Sequence, residues 1–221
     1  MKAAVLGAGG RTGRLVVARA LERGHEVVAA GRDISALDRL RSDTPQSRRG
    51  RLTVRPGDVD DPAALEAAVD GADVVLSTVA PPLHKHILRS TTLYSRSARR
   101  LVDALRARGV RRLITVSSAG VLHEDPSHPA LYRHVLKPVL FDRALYRDMR
   151  IMEREIEESG LDWTLVRASG LTDRPATGRY RLGSGRLPDG GSRVSRADLA
   201  DFLVVEIEEG AHTGGHPTLA Y

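Results

Sequence analysis

The sequence predicts an α/β fold in which a doubly wound parallel sheet is covered by helices on both faces. Short apolar runs alternate with longer stretches whose apolar residues have helical spacing. The runs lack the strict apolar–polar alternation of a half-solvated sheet, which indicates strands buried on both sides. A glycine-rich turn separates the first run from the first helix. The 221 residues are enough for a well-buried core, so we expect a single domain over residues 1–221.

Six apolar runs are predicted to be strands, and the stretches between them to be helices. The predicted strands are Ala3–Leu6, Glu26–Ala30, Leu52–Arg55, Asp73–Thr78, Arg112–Ser117 and Asp162–Arg167. The predicted helices are Thr12–Arg23, a short one around Leu37 and Leu40, Pro62–Val69, a long one that ends near Arg108-Gly109, and Arg143–Glu158.

Two later segments, residues 119–140 and 168–195, interrupt this alternation. The first contains prolines and three histidines, and the second is rich in glycine, arginine and proline. Each follows the carboxyl end of a predicted strand, which is the edge where open α/β sheets bind ligands. We therefore expect the two segments to form a small substrate-side portion of the domain.

Composition excludes several classes of protein. The formal net charge is +6 and almost all of the basic residues are arginines, but they are scattered, and five Tyr, two Phe and one Trp offer few surfaces for base stacking. We therefore expect no nucleic-acid partner. No apolar run is long enough to span a membrane, and the first residues do not resemble a signal peptide, so we expect a cytoplasmic protein. The absence of cysteine excludes disulfides, thiolate metal sites and cysteine nucleophiles.

The glycine-rich turn has the spacing of a dinucleotide-binding turn in a Rossmann-like fold. Gly7 allows a tight turn, Gly10 lets a pyrophosphate approach the backbone, and Gly13 lets the helix pack close to the strand. The following helix N-terminus offers N–H groups and a partial positive charge to the phosphates. The predicted contacts of the turn are Gly7, Gly9, Gly10, Arg11, Thr12 and Gly13.

The end of the second predicted strand carries Gly31-Arg32-Asp33. An acid at this place binds the ribose 2′-OH of NAD, whereas an arginine accommodates the 2′-phosphate of NADP. Arg32 comes 19 residues after Gly13, so the sequence favours NADP(H) over NAD(H) as cofactor. Asp33 leaves an alternative open, because this acid either binds a ribose or caps the helix that follows.

Seven short motifs together carry a family resemblance. They are Gly7–Gly13, Gly31–Asp33, Gly57–Val59, Val116–Ala119, Glu158–Leu161, Gly170–Gly178 and Ser195–Ala200. With these motifs the chain resembles the atypical short-chain dehydrogenases/reductases, in their NAD(P)-binding NmrA-like branch. Within this branch it is similar to the biliverdin-IXβ reductases, which are also called NADPH-dependent flavin reductases. The resemblance covers nearly the whole chain.

The resemblance implies further cofactor contacts at the ends of the third to sixth strands. It implies contacts with the adenine (Asp58 and Val59), beneath the fourth strand (Thr78, Val79 and Ala80), beside the nicotinamide (Ser117 and Ser118) and over its other side (Ala168, Ser169, Gly170 and Leu171). It also implies that the last helix begins within Ser195–Ala200, with Ser195 as its N-cap.

The catalytic candidates are Ser118, which matches the active-site serine of the family, and Tyr146. In the wider superfamily a Tyr-x-x-x-Lys pair supplies the proton. Here Tyr146 and Arg150 keep that helical spacing, but arginine cannot exchange a proton, and the lysine position of this branch falls on Met149. Gly170 stands where the biliverdin-IXβ reductases carry a histidine. These two departures leave both the reaction and the substrate open, and Tyr146 is equally well explained as a packing residue.

Histidine pairs raise the question of a metal. His84 and His86 are two residues apart, and His212 and His216 are separated by a loop of three residues. Without cysteines or clustered carboxylates, these pairs do not have the ligand pattern of a zinc site. We therefore predict no metal.

The leading functional hypothesis is an NAD(P)H-dependent oxidoreductase that reduces a flavin, a quinone or another conjugated carbonyl compound by hydride transfer. One alternative is a non-redox isomerase, dehydratase or cyclase, to which the missing lysine points. The other is an NADP-sensing regulatory binding protein, as some NmrA-like proteins are. We expect a small-molecule substrate and a monomer or homodimer. The fold by itself cannot choose among these functions.

Overall fold

A computed structural model of the chain describes residues 1–81, 91–122 and 145–221. The strands in these ranges are Lys2–Leu6 (β1), Glu26–Gly31 (β2), Leu52–Pro56 (β3), Val74–Ser77 (β4), Arg112–Ser118 (β5), Asp162–Ala168 (β6), Gly170–Thr172 (β7), Arg181–Ser184 (β8), Arg193–Ser195 (β9) and Pro217–Ala220 (β10). The α-helices are Gly13–Glu22 (α1), Ile34–Asp43 (α2), Gln46–Arg49 (α3), Pro62–Val69 (α4), Leu93–Ala107 (α5), Arg147–Glu157 (α6) and Arg196–Glu209 (α7). A short 3₁₀ helix, Ala119–Val121, follows β5.

The main sheet has eight strands in the order β3-β2-β1-β4-β5-β6-β10-β8. Every neighbouring pair is parallel except β10 and β8, which are antiparallel. The first six positions have the 3-2-1-4-5-6 order of doubly wound dinucleotide-binding folds. A second sheet of two parallel strands, β7 and β9, lies beside it. The predicted Rossmann-like α/β fold is confirmed.

Helices cover both faces of the main sheet and create two apolar layers. On one face, α1 and α7 pack against the strands through residues such as Val16 and Leu199. On the other face, Leu65 of α4, Leu101 of α5 and Met152 of α6 pack against the opposite sides of the same strands. Burial on both faces explains why the strands are continuous apolar runs in the sequence.

Several helices begin at a side chain that accepts a hydrogen bond from the amide three residues later. Asp33 caps α2 at 3.0 Å, Asp61 caps α4 at 3.1 Å, and Ser195 caps α7 at 2.9 Å. The predicted cap at Ser195 is therefore confirmed. The carboxylate of Asp33 is used at the start of α2, which is the capping alternative of the sequence analysis.

The N-terminus of α5 is capped by a residue from a different helix. Asp148, in the first turn of α6, accepts hydrogen bonds from the amides of Tyr94 at 2.8 Å and Ser95 at 3.3 Å, and from the Ser95 hydroxyl. Burial and the neighbouring Asp148 carboxylate raise the pKa of Tyr94 to about 12. The cap therefore ties α5 to α6 at the end of both helices that faces the carboxyl edge of the sheet.

The predicted strands differ from the observed β1–β6 by at most one residue at either end. The predicted helix Arg143–Glu158 begins as an α-helix only at Arg147, and residues 143 and 144 lie outside the described ranges. Strands β7 to β10 were not predicted. They are three or four residues long and lie in segments rich in glycine and arginine, where periodicity gives no signal.

Candidate active site

Most of the candidate residues lie at one edge of the sheet. Because the strands are parallel and in register, with Leu6 opposite Ser77 and Ser118 opposite Ala168, their carboxyl ends lie at the same edge. The glycine turn follows β1 at this edge, and the other candidate segments follow β2 to β6. This edge is where doubly wound folds bind their ligands.

The glycine turn has no room for side chains at several positions. Gly7 has a φ of +78°, a left-handed conformation that favours glycine. A Cβ on Gly13 would lie 2.3 Å from the carbonyl oxygen of Gly7, and a Cβ on Gly10 would lie 3.1 Å from the same oxygen. A Cβ on Gly9 would lie 3.0 Å from the Cβ of Ala36 in α2. The backbone at Gly9, Gly10 and Gly13 is thus not covered by side chains of these residues where α1 begins.

The N-terminus of α1 lies directly behind this turn. Thr12 occupies the cap position but makes no side-chain cap bond, and the first turn of α1 has no acidic residue. Thr12 is half-buried and Arg11 is exposed. Glycine backbone together with an uncapped helix N-terminus fits the diphosphate of a dinucleotide, because N–H groups and the helix dipole favour an anion there.

The end of β2 presents an arginine and no available acid. Arg32 is exposed and forms no ion pair with any residue in the described ranges. Asp33 is committed to the α2 cap. Close by, a Cβ on Gly57 would lie 2.8 Å from the Cβ of Ala30, so the chain after β3 passes tightly against the end of β2.

The segments after β3 and β4 complete this half of the edge. Asp58 is half-buried, and its carboxylate accepts the amide of Asp60 at 3.0 Å, while Val59 is buried. The hydroxyl of Thr78 donates to the carbonyl of Leu6 at 3.0 Å, which fixes the start of the segment after β4 against the glycine turn. Val79 is half-buried, and the neighbouring residue, Ala80, is exposed.

The two serines that end β5 have different environments. The hydroxyl of Ser117 is buried and donates to Oε1 of Glu153 in α6 at 2.7 Å. Ser118 is half-buried, and its Oγ accepts the amide of Gly120 at 3.1 Å. Side chains of consecutive strand residues point to opposite faces, which explains the difference. A Ser117 contact to a cofactor is therefore left to its backbone, whereas the oxygen of Ser118 lies at the accessible edge.

The structure places Tyr146 close to Ser118. A Cβ on Gly120 would lie 2.1 Å from Cζ of Tyr146 and 2.5 Å from its hydroxyl oxygen, so the phenol ring occupies the space that a side chain at 120 would need. Arg150, one helical turn later, donates to the carbonyl of Val121 at 3.3 Å. The two sequence-predicted catalytic residues thus belong to one group around the turn after β5.

A buried ion pair between Arg167 and Glu153 lies next to this group and connects β6 to α6. Arg167, at the end of β6, donates to Glu153 through Nε at 3.0 Å and through a terminal nitrogen at 2.8 Å. Ser117 and Arg167 are opposite each other in the β5–β6 register, so the Glu153 carboxylate joins both strands to α6. This ion pair was not predicted from the sequence. Its signal is an acid at 153 on the apolar face formed by Met149, Met152 and Ile156.

The segment after β6 lies at the same edge. Ala168 and Ser169 are buried, Gly170 is exposed and Leu171 is half-buried. Ser169 is only 6% exposed, and its buried hydroxyl has no hydrogen-bond partner among the described residues. A buried hydroxyl without a partner is costly, and it is a polar group available to a ligand.

The two family departures have structural explanations. Met149 is buried in the apolar layer beneath α6, so this position cannot present a charged group to the site. The amide of Gly170 donates to the carbonyl of Ser192 at 3.0 Å, and a Cβ on Gly170 would lie 3.0 Å from that oxygen. A glycine at position 170 therefore allows β7 and β9 to pair closely.

Asp198 in α7 is a fully buried carboxylate that anchors the later part of this segment. It accepts hydrogen bonds from the amides of Thr177 and Gly178, from the Ser195 hydroxyl and from the Tyr221 hydroxyl. Burial on its own raises the pKa of Asp198, but the four donors outweigh it, so the pKa lies below its ordinary value.

The histidines that the sequence analysis considered as ligands have separate partners. His212 Nδ1 lies 2.8 Å from Glu206, and His216 Nε2 lies 2.7 Å from Glu157. Ligand atoms of Glu153, Glu157 and His216 lie within 4.8 Å of one another, but Glu153 is already engaged by Arg167 and Ser117. His84 and His86 lie outside the described residues.

Comparison with known proteins identifies the family. Residues 7–209 match the NAD(P)H-binding family, so the chain belongs to this family. Two proteins of Arabidopsis thaliana, both described as uncharacterised and chloroplastic, are 27% and 31% identical over 93% and 80% of this chain. The chain spans 65% and 61% of their lengths, slightly less than two thirds.

Solved structures agree on the fold. A short-chain dehydrogenase/reductase from Veillonella parvula in complex with NADP has a TM-score of 0.78 and 22% identity, with 100% of this chain and 94% of that chain covered. An anaerobilin reductase from Escherichia coli O157:H7 has a TM-score of 0.76 and 23% identity, with 100% and 97% covered. The protein is thus an NAD(P)H-binding protein with a Rossmann-like fold. No helix within the described ranges is long and apolar enough to cross a membrane.

Proposed function

We propose that this protein is an NADPH-dependent reductase of a flavin, a quinone or another conjugated carbonyl compound. The observation that carries the proposal is the glycine turn, where a side chain at 13 would collide with the Gly7 carbonyl and one at 10 would crowd it, in front of an uncapped helix N-terminus. The family match over residues 7–209 gives the same cofactor class. A non-redox function or a sensor would use the same turn, so the reaction itself needs a separate argument.

The preference for NADP over NAD rests on the end of β2. Arg32 is exposed and forms no ion pair within the described ranges, so its guanidinium is available to a 2′-phosphate. The competing acid, Asp33, already uses one carboxylate oxygen to cap α2. We infer that Asp58 and Val59 flank the adenine and that Thr78, Val79 and Ala80 line the cofactor beyond β4.

The reaction rests on the group after β5. A reduced nicotinamide supplies a hydride when it is bound. We infer that the Ser118 hydroxyl orients the carbonyl of the acceptor and that Tyr146, whose ring packs against Gly120, holds the proton at its phenol oxygen. The Arg150 guanidinium, held at the Val121 carbonyl, places a positive charge one helical turn after Tyr146.

The segment after β6 closes the other side of the site in this proposal. Ser169 offers a buried hydroxyl without a partner, and Ala168, Gly170 and Leu171 add apolar and backbone surface around it. The substrate-side portion comprises residues 168–195 and the segment 119–140, of which residues 123–140 lie outside the described ranges.

The proposal is tested by NADPH consumption with a panel of flavins, quinones and conjugated carbonyl compounds. Replacing Ser118 with Ala and Tyr146 with Phe should each lower kcat at least tenfold and change NADPH binding far less, because neither hydroxyl is proposed to hold the diphosphate or the adenosine half of the cofactor. Tight NADPH binding without turnover of any acceptor would refute the reductase. Product formation without net NADPH oxidation would instead support an isomerase, dehydratase or cyclase, the alternative to which the missing lysine at position 149 points.

Cofactor preference is tested separately with Arg32→Gln. We expect the Kd for NADPH to rise about tenfold or more, as for loss of one charge-assisted phosphate contact, and the Kd for NADH to change little. Arg39→Gln is the matched control, because Arg39 is an exposed arginine of α2 that belongs to no candidate contact. Equal effects of the two variants would refute the assignment of Arg32.

A further inference from the structure

Asp173 bridges two arginines from different parts of the fold. Its Oδ2 lies 3.2 Å from a terminal nitrogen of Arg11, in the glycine turn, and its Oδ1 lies 2.7 Å from a terminal nitrogen of Arg196, at the start of α7. The Arg11 and Asp173 side chains are 63% and 65% exposed, whereas Arg196 is largely buried. Asp173 therefore has one sheltered partner and one solvent-exposed partner.

Residues 173–178, which we call the strap, follow β7. The strap is fixed at its far end, because the buried Asp198 accepts the amides of Thr177 at 2.9 Å and Gly178 at 2.8 Å. At its near end the Asp173–Arg11 pair joins it to the glycine turn, across 162 positions of sequence. The strap thus has a strong buried anchor and a weak exposed tie.

The exposed Asp173–Arg11 ion pair involves the same glycine turn that is proposed to bind the cofactor. Arg11 precedes the uncapped N-terminus of α1, where the glycine geometry fits a diphosphate. A guanidinium binds phosphate oxygens with the same pair of N–H groups that it uses to bind a carboxylate. A diphosphate carries more negative charge than a carboxylate. A dinucleotide in the turn and Asp173 therefore offer Arg11 competing anions.

We propose that Asp173 is a latch on the dinucleotide site: it holds Arg11 in the free protein, and the diphosphate of the cofactor takes Arg11 from it. This inference rests on the proposed function, since it needs a dinucleotide at the turn. Binding releases the near end of the strap from the glycine turn, while Asp198 and Arg196 keep the strap attached to α7. The cofactor thereby removes the contact between the strap and the glycine turn before an acceptor enters.

The direct test is the Kd for NADPH of wild type and Asp173→Asn, measured by fluorescence titration. Removal of the competing anion should lower the Kd about two- to fivefold, the range expected for loss of one exposed ion pair. Asp189→Asn is the control, because Asp189 is an exposed acid without an ion pair in the described part of the chain. The Kd for adenosine 2′-phosphate, which has no diphosphate, should be the same in both variants and wild type.

A second measurement separates competition from a general change in charge. In an Arg11→Gln background, Asp173→Asn should no longer lower the Kd for NADPH. Amide hydrogen exchange in residues 171–176 should rise when NADPH binds to wild type, and it should already be high in free Asp173→Asn.

Two outcomes would overturn the latch while the proposed function stands. One is NADPH binding that is unchanged or weaker in Asp173→Asn, and the other is exchange in 171–176 that falls when NADPH binds. Failure of the wild type to bind NADPH or NADH at all would instead refute the proposed function, so the two failures are distinguishable.

Discussion

Replacing Asp198 with Asn tests the claim that one buried carboxylate organises the substrate side of the protein. The carboxylate is fully buried and accepts hydrogen bonds from five groups of four residues: the Thr177 amide at 2.9 Å and hydroxyl at 3.1 Å, the Gly178 amide at 2.8 Å, the Ser195 hydroxyl at 2.9 Å and the Tyr221 hydroxyl at 2.5 Å. An asparagine keeps one acceptor oxygen but turns an N–H₂ group toward donors.

The expected loss follows from these contacts. Hydrogen bonds to a charged group contribute roughly 1.5–3 kcal/mol each, and the amide cannot satisfy about two of the five, so the free energy of unfolding should fall by about 3–6 kcal/mol. For a domain of this size that corresponds to a decrease in Tm of roughly 6–24 °C. Thermal unfolding followed by circular dichroism, with urea unfolding as a second measurement, gives both quantities.

The matched control is Asp201→Asn in the same helix. Asp201 pairs with Arg19 at 3.0 Å but is 29% exposed, so its replacement should cost less than about 1 kcal/mol.

Because the pKa of Asp198 is lowered on folding, its contribution to stability is present above the ordinary value of 3.8 and is lost as the pH falls through its folded pKa. The difference between wild type and Asp198→Asn should therefore shrink in acid. A difference below about 1 kcal/mol at neutral pH, or one that grows in acid, would refute the reasoning.

Three further predictions concern other parts of the fold. Gly13→Ala places a Cβ 2.3 Å from the Gly7 carbonyl and should raise the Kd for NADPH at least tenfold, whereas Gly50→Ala, with no neighbour within 4 Å, should leave it unchanged. Because the pKa of Tyr94 is raised from 10.0 to about 12, its contribution to stability is complete below pH 10.0 and is lost as the pH rises through 12; urea unfolding should show wild type losing stability there faster than Tyr94→Phe. Asp33→Ala should lower the free energy of unfolding by about 1 kcal/mol through loss of the α2 cap, and a melting curve identical to wild type would contradict this.

Features encoded by neighbouring residues could be predicted from the sequence. The succession of β1 to β6 along the chain follows from apolar runs that are separated by helical stretches. The turn at Gly7–Gly13 is specified by glycines, and the atoms that a Cβ at Gly10 or Gly13 would meet belong to residues only a few positions away. The cap at Ser195 is equally local. For such features the residues that determine the structure are also the residues that adopt it.

Features that depend on distant partners could not be predicted. Asp148 caps a helix through the amide of Tyr94, 54 residues earlier, Glu153 meets Arg167 only when α6 lies on the β5–β6 pair, and Asp173 meets Arg11 only when the sheet has formed. An isolated acid in a sequence looks the same whether it is solvated or buried with a partner. The role of each acid is set by packing, which spacing along the chain does not encode.

The position of β10 has a consequence for the order in which the protein assembles. β10 lies between β6 and β8, pairing Leu219 with Ala168 on one side and with Leu182 on the other. Residues 181–184 are synthesised before residues 217–220, yet among the described strands they pair only with β10. During translation, β8 must therefore wait without a strand partner until the ribosome has passed residue 220. The first six strands can already be paired by then, so the part of the sheet beyond β6 is completed only after synthesis of β10.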